Sequence, residues 1–318
     1  MAGESTIISI EPQDKLYTRP NIPEDYHCTC DLCTKNFLGE LYHTPTNQYY
    51  TQYTRRRYYF ADGDKTKYPK HICPGHWQGY RYAVQNFTQP GDTVFDPTVG
   101  TGSAIIEAIN NGRNGIGIEL EFQEHTNMHV QVQKDRGTAT GNSHVIQGDA
   151  RELVDLLRDH GHIGENIFDL IVTGSPYPVL GGRQADAPER GKYENREDGR
   201  MGRKIEDHAV KYENKKSIGV LKGQVYWDLL AEIYSKAINL LKPGGKFITI
   251  IKDPTQNKEA YLLHKMIAEV VMEAAPVKYY GTFIHKHLPS TLFMNTYPKR
   301  YPEVKIPLYQ TGTVLEKY

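Results

Sequence analysis

The ten residues from Val94 to Ser103, Val-Phe-Asp-Pro-Thr-Val-Gly-Thr-Gly-Ser, constrain this chain more than any other stretch. An apolar pair ends in Asp96-Pro97, two glycines follow one residue apart, and Ser103-Ala-Ile-Ile-Glu-Ala-Ile has helical spacing. The pattern predicts a strand, a tight glycine turn and a helix. Such a turn brings bare backbone against a ligand at the mouth of a parallel sheet. Gly100 and Gly102 lack the third glycine of the dinucleotide fingerprint, because Ile105 stands in its place. The turn therefore points away from hydride transfer.

Further units of the same kind follow. Asn110-Asn-Gly112 is a stop signal, and Gly115-Ile-Gly-Ile-Glu119 reads as a buried strand ending in an acid, 23 residues after Asp96. A carboxylate there can accept both ribose hydroxyls of a nucleoside, with Glu121 the nearby competitor. Val145-Ile-Gln-Gly-Asp149-Ala150 opens a third unit, and Phe168 to Thr173 is a fourth strand that ends in Gly174-Ser175-Pro176-Tyr177-Pro178. Gln224 to Leu241 is amphipathic, and Lys242-Pro-Gly-Gly-Lys246 turns it into a buried strand, Phe247 to Ile251. A helix over Glu259 to Ala274, a strand at Tyr279 and an antiparallel end over Val304 to Glu316 complete the chain. Alternating strands and helices specify an α/β fold, a doubly wound and mostly parallel sheet with ligands at its carboxyl edge.

All four cysteines precede the glycine turn. Met1 to Pro12 is too polar for a signal peptide and no apolar run nears the roughly 18 residues of a membrane span, so a soluble, cytoplasmic protein with reduced thiols is expected. Cys30-x-x-Cys33 and, forty residues on, Cys73-x-x-His76 offer zinc four ligands in two knuckles; His27 and Cys28 compete, and idle thiols are the alternative. Arg55, Arg56 and Arg57 lie among tyrosines and Phe60. They suit phosphates and stacked bases, and equally an edge strand with a solvated face. Net charge is zero, so a nucleic-acid surface must be local. Residues 1–66 are expected to form an arm and a cysteine-containing region. Residues 181–216, glycine-rich and dense in both charge signs, read as a lid or a surface insertion.

Asp96-Pro97-Thr98-Val99-Gly100-Thr101-Gly102-Ser103 closely resembles the first motif of the S-adenosylmethionine-dependent amino-methyltransferases of DNA, the N4-cytosine and N6-adenine enzymes. The resemblance runs from Lys67 to Tyr318 and includes Lys67-Tyr-Pro-Lys-His71, Gln89-Pro-Gly-Asp92, Gly148-Asp149-Ala150 and the Leu-Lys-Pro-Gly-Gly turn at 241–245. It implies a Rossmann-type sheet of the class I methyltransferases in a domain spanning 67–318. It also implies S-adenosylmethionine held by Asp96, Pro97, Thr98, Gly100, Gly102, Ser103, Glu119, Asp149 and Ala150, with Asp149 at the adenine amino group.

Methylating an exocyclic amine is hard because its lone pair is delocalised into the ring. The family takes the base out of the stack and meets it with Asp/Asn/Ser-Pro-Pro-aromatic after the fourth strand. Here Ser175-Pro176-Tyr177 keeps serine and the aromatic but drops one proline; aligned without a gap, Gly174 falls at the polar position. Ser175 is read as the polar contact, Tyr177 as the stacking ring, with Pro176 between them and carbonyls 174–176 sharing the amino hydrogens. Serine leans toward N4 of cytosine over N6 of adenine. C5 methylation needs a nucleophilic cysteine, and none follows Cys73. The glycine turn precedes the chemical motif, so base recognition is expected from the lid, from His285-Lys-His287 and Lys299-Arg300, or from the arm. The expected partner is DNA, as in restriction-modification; an RNA base N-methyltransferase and an inactive nucleic-acid-binding scaffold are the alternatives.

Overall fold

The structure is a computed structural model and describes residues 28, 30–42, 70–71, 77–135, 137–162, 164–178, 209–210, 217–256, 259–286 and 309–318. Its elements in chain order are α1 (Asp31–Lys35), β1 (Phe37–Tyr42), β2 (Lys70–His71), α2 (Trp77–Phe87), β3 (Thr93–Asp96), α3 (Ser103–Asn110) and β4 (Asn114–Glu119). Then come α4 (Gln123–Asp135), β5 (Ser143–Gln147), α5 (Leu153–Asp159), β6 (Phe168–Thr173), β7 (Ala209–Val210) and α6 (Gln224–Asn239). The last are β8 (Leu241–Ile251), β9 (Thr255–Gln256), β10 (Glu259–Ala260), α7 (Leu263–Ala274), β11 (Val277–Lys286) and β12 (Tyr309–Lys317).

Eight strands form one sheet in the order β1-β11-β12-β8-β6-β3-β4-β5. The run β8-β6-β3-β4-β5 is parallel throughout, and β12 lies antiparallel to both β8 and β11. This is the doubly wound, mostly parallel α/β sheet expected from the sequence, ending in a reversed strand at its C-terminal end. The chain moves outward from β3 through β4 to β5 and then returns to β6 on the other side of β3. That reversal opens a crevice at the carboxyl ends of β3 and β6, where ligands bind in such sheets. Phe37–Tyr42 pairs in parallel with β11 and extends the far edge, so the cysteine-containing segment carries a strand of the main sheet.

Both faces of the sheet are covered, which is why its strands read as continuous apolar runs. Val94, Leu170, Val172, Ile248 and Ile250 pack with Tyr80, Ala83 and Val84 of α2. Their neighbours Phe95, Phe168, Ile171 and Phe247 face Leu230, Ile233, Tyr234 and Ile238 of α6 and Ile267 of α7. Phe95 and Phe168 stack with centroids 4.4 Å apart. Each such fully buried side chain contributes roughly 1.5–3 kcal/mol. Ile105 sits where a third glycine would bring helix and strand together, and the strand supplies the glycines instead. A Cβ on Gly115 would meet Ile105 Cγ2 at 2.8 Å, and one on Gly117 would meet Val99 Cγ2 at 2.1 Å.

The helix expected from Glu259 begins at Leu263. Glu259–Ala260 instead pairs with Thr255–Gln256 in a short hairpin, closed by the Tyr261 N–H donating to the Pro254 carbonyl at 2.8 Å. The final strand runs Tyr309–Lys317; residues 301–308 lie outside the described ones.

Candidate active site

A cavity of about 280 Å³ opens at the carboxyl ends of β3, β4 and β6. Its wall includes Pro97, Thr98, Gly100, Ser103, Glu119, Asp149, Ala150, Ser175, Pro176 and Tyr177, ten of the residues singled out in the sequence. Asp96 and Gly102 do not line the cavity but hydrogen-bond Thr98 and Val99, which do.

The turn is held by β4, α4 and β6 and by a bond within itself. Val99 N–H donates to the Ile118 carbonyl at 3.1 Å and Gly102 N–H to the Val99 carbonyl at 3.0 Å. From α4, Thr126 Oγ1 donates to the Gly100 carbonyl at 2.7 Å, and His129 Nδ1 lies 3.0 Å from the Thr101 carbonyl. Thr98 Oγ1 meets Thr173 Oγ1 at 2.8 Å, tying the turn to the end of β6. Gly102 has φ 85° and a Cβ there would strike Thr126 Cγ2 at 2.7 Å, so no other residue fits.

Two buried carboxylates shape the turn. Glu119 Oε2 accepts from Gly100 N at 2.8 Å, while Oε1 accepts from Glu121 N at 3.1 Å and Phe122 N at 3.2 Å. Burial raises its pKa, with these three N–H groups opposing the shift. The competitor Glu121 thus holds the acid through its backbone. Asp96 Oδ1 accepts from Thr98 N at 3.0 Å, and burial pushes its carboxyl up to about 7 against the hydrogen bonds from Thr173 and Thr98. Asp149 caps the turn of helix at 150–152 and pairs with the Arg151 guanidinium.

Across the cavity, the chemical motif is anchored by α6. Tyr234 Oη donates to Ser175 Oγ at 2.5 Å, and Tyr226 Oη donates to the Pro176 carbonyl at 2.6 Å. Tyr177 Oη accepts from the backbone N–H of Lys252 at 3.1 Å. Gly174 has no room for a side chain, since a Cβ there would lie 2.6 Å from the hydroxyl of Tyr80. Bare turn backbone, carboxylates at Glu119 and Asp149 and an apolar wall from Val99, Ile118 and Ile250 fit a nucleoside carrying an amino-acid tail.

Residues 42–129 match the N6_N4_Mtase family model, described as DNA methylase. Over that stretch, from β1 through the glycine turn into α4, the chain is similar to the DNA methylases. No curated protein matches it. Among solved structures, the TehB-like SAM-dependent methyltransferase of Corynebacterium glutamicum is 12% identical with a TM-score of 0.38, over 83% of this chain and 94% of that one. A SAM-dependent methyltransferase from Methanosarcina mazei is 12% identical with a TM-score of 0.40, over 74% and 96%. An rRNA methylase from Streptococcus thermophilus is 11% identical with a TM-score of 0.37, over 76% and 93%. The fold assignment rests on strand order and the reversed β12.

Among the described residues no helix is long and apolar enough to cross a membrane. Some expected contacts are placed elsewhere. His285 cannot reach a base: it is fully buried, with Nε2 3.0 Å from Gln78 Oε1 of α2. Arg55, Arg56, Arg57, Cys73, His76, His287, Lys299, Arg300 and the 181–216 segment apart from 209–210 lie outside the described residues. Cys30 and Cys33 are brought together not with each other alone but with Cys28 and His264, all four ligand atoms within 4.8 Å. His264 escaped the sequence reading because nothing local marks it. Tyr226 and Tyr234 also went unread as anchors, although their eight-residue spacing on one apolar helix face was visible.

Proposed function

We propose that this methyltransferase transfers a methyl group from S-adenosylmethionine to an exocyclic amine of a DNA base, N4 of cytosine before N6 of adenine. The observation that carries the reading is the placement of Ser175-Pro176-Tyr177 against the glycine turn across one cavity, together with the DNA methylase match. Bound S-adenosylmethionine would supply an electrophilic methyl on a positively charged sulfur.

Gly100 backbone, Ser103, Glu119 and Asp149 would hold that cofactor. Tyr177, its ring angle set by the bond from Lys252 N–H, would stack on the extruded base. Ser175 Oγ accepts from Tyr234, which leaves it one lone pair and its own proton to turn toward the amine. The carbonyls of 174–176 and the Tyr80 hydroxyl, which fills the space a side chain at 174 would take, complete an oxygen-rich ring around the amino group. Such acceptors favour a tetrahedral nitrogen whose lone pair takes the methyl, and the methylated amine, then cationic, gives up a proton to water. No covalent enzyme intermediate is needed.

The test is transfer of tritiated methyl from S-adenosylmethionine to unmethylated genomic DNA, with product nucleosides resolved by mass spectrometry. N4-methylcytosine is expected. N6-methyladenine would move the base assignment. Label in transcribed RNA alone would replace DNA with RNA, and cofactor binding without any product would leave a nucleic-acid-binding scaffold.

A further inference from the structure

We infer that Cys28, Cys30, Cys33 and His264 form a closed tetrahedral zinc site, which fastens the N-terminal segment to the methyltransferase sheet and steadies the backbone that holds Tyr177. His264 Nε2 lies 3.6 Å from Cys28 Sγ, 3.6 Å from Cys30 Sγ and 3.3 Å from Cys33 Sγ. With metal–sulfur bonds of about 2.3 Å and metal–nitrogen bonds of about 2.0–2.1 Å, a tetrahedron has sulfur–nitrogen edges of about 3.6 Å. The quartet therefore has the size of a zinc coordination shell.

Hydrogen bonding among the four groups alone does not account for the convergence. His264 Nδ1 is 2.6 Å from Asp253 Oδ2, and the other oxygen of that carboxylate accepts from the backbone N–H of His264 at 3.1 Å. The carboxylate fixes Nδ1 as the donor, so Nε2 presents a single lone pair. One lone pair serves one thiol proton, yet three sulfurs surround it. A cation at the centre satisfies all four ligands, and three thiolates with one imidazole select zinc over magnesium or calcium. Cys28, Cys33, His264 and Asp253 are buried, so no position is open to substrate and the site is structural.

The ligands come from opposite ends of the chain. Cys33 lies on α1 and His264 on α7, and Lys265 of α7 also pairs with Asp31 of α1 at 2.6 Å. Asp253 directly follows Lys252, whose N–H donates to Tyr177 Oη. A metal on His264 thus fixes, through Asp253, the strand end on which Tyr177 rests. The zinc assignment stands on ligand geometry and is independent of the methylated substrate.

The full chain, purified without chelator, is expected to hold one zinc per molecule by inductively coupled plasma mass spectrometry. Cobalt(II) in its place is expected to give thiolate charge-transfer and tetrahedral d–d bands. His264→Ala should lose the metal, whereas His264→Cys, with four ligands restored, and Cys73→Ser should keep it. Should His264→Ala fail to fold, Asp253→Asn is expected to weaken zinc by about ten- to hundredfold against a chromophoric chelator, with the far-ultraviolet spectrum unchanged. Zinc absent after reconstitution, or lost in Cys73→Ser but kept in His264→Ala, overturns the site. Chelation should also speed hydrogen exchange at the Lys252 amide; unchanged exchange there refutes the link to Tyr177.

Discussion

Tyr234 donates its hydroxyl to Ser175 Oγ over 2.5 Å, and both groups are buried against the end of β6. The bond crosses from the covering helix to the chemical motif. Burial raises the Tyr234 phenol well above its ordinary range, so it remains a neutral donor at every pH the enzyme meets.

Tyr234→Phe keeps the ring in the core and removes only that donor. Ser175 Oγ then loses its buried partner, a cost of about 1–3 kcal/mol in urea unfolding. Methyl transfer under single-turnover conditions should fall at least about tenfold, equivalent to about 1.4 kcal/mol, while the Kd for S-adenosylmethionine stays constant. A cofactor Kd rising in step with the loss would show that Tyr234 acts on the glycine turn rather than on the motif.

Glu119→Gln tests the opposite wall. Both oxygens of Glu119 accept backbone N–H groups, one from Gly100 and two from Glu121 and Phe122. An amide keeps one acceptor and turns the other into a donor facing a donor, so one side of the clamp must open. The Kd for S-adenosylmethionine should rise at least about tenfold by calorimetry. Unchanged affinity would mean that the acid only shapes the loop and that the ribose is held by other groups.

The turn, the acid 23 residues on and the motif after the fourth strand were legible because each is a local pattern of glycine, apolar period and charge. His264 was not: it lies 231 residues from Cys33, on a helix whose apolar spacing already accounts for it. Cys73 and His76, which lie outside the described residues, entered the metal reading because a Cys-x-x-His spacing is visible along a chain, whereas the juxtaposition of α1 and α7 is a product of sheet order. The start of α7 was misplaced because Glu259–Ala260 has no strand signal of its own and pairs only through the turn that precedes it.

Asp96 makes stability depend on pH. Its carboxyl titrates at about 7 when folded because it is buried, against about 3.9 for an unfolded aspartate. The folded chain therefore binds the extra proton between those values, and stability falls as pH rises through that window and levels off above it. Between pH 5 and pH 8 the loss is on the order of 2–3 kcal/mol. Asp96→Asn carries no such proton, so urea unfolding should show it gaining on the parent by that amount over the same interval. Parallel pH profiles for the two would place the Asp96 pKa near its ordinary value.

Gly174 and Tyr80 share one space, and a double-substitution cycle measures it. The Cβ of Gly174→Ser would lie 2.6 Å from the Tyr80 hydroxyl but 3.9 Å from the ring carbon that bears it. Tyr80 is 4% exposed and its ring packs with Ala83, Val84 and Ile250, so moving the hydroxyl aside displaces the ring from that cluster. The single substitution should therefore cost about 1–3 kcal/mol by overpacking. In Tyr80→Phe the obstructing oxygen is gone and the remaining carbon stands at ordinary contact distance, so Gly174→Ser should then be tolerated. The coupling between the two is expected to exceed about 1 kcal/mol in favour of the pair. The double variant brings a serine oxygen toward the space the wild-type phenol oxygen filled, so it should recover part of the methyl transfer that Tyr80→Phe alone loses. Additive stability effects would refute the shared space, and full activity in Tyr80→Phe would remove the phenol from the ring of acceptors around the amine.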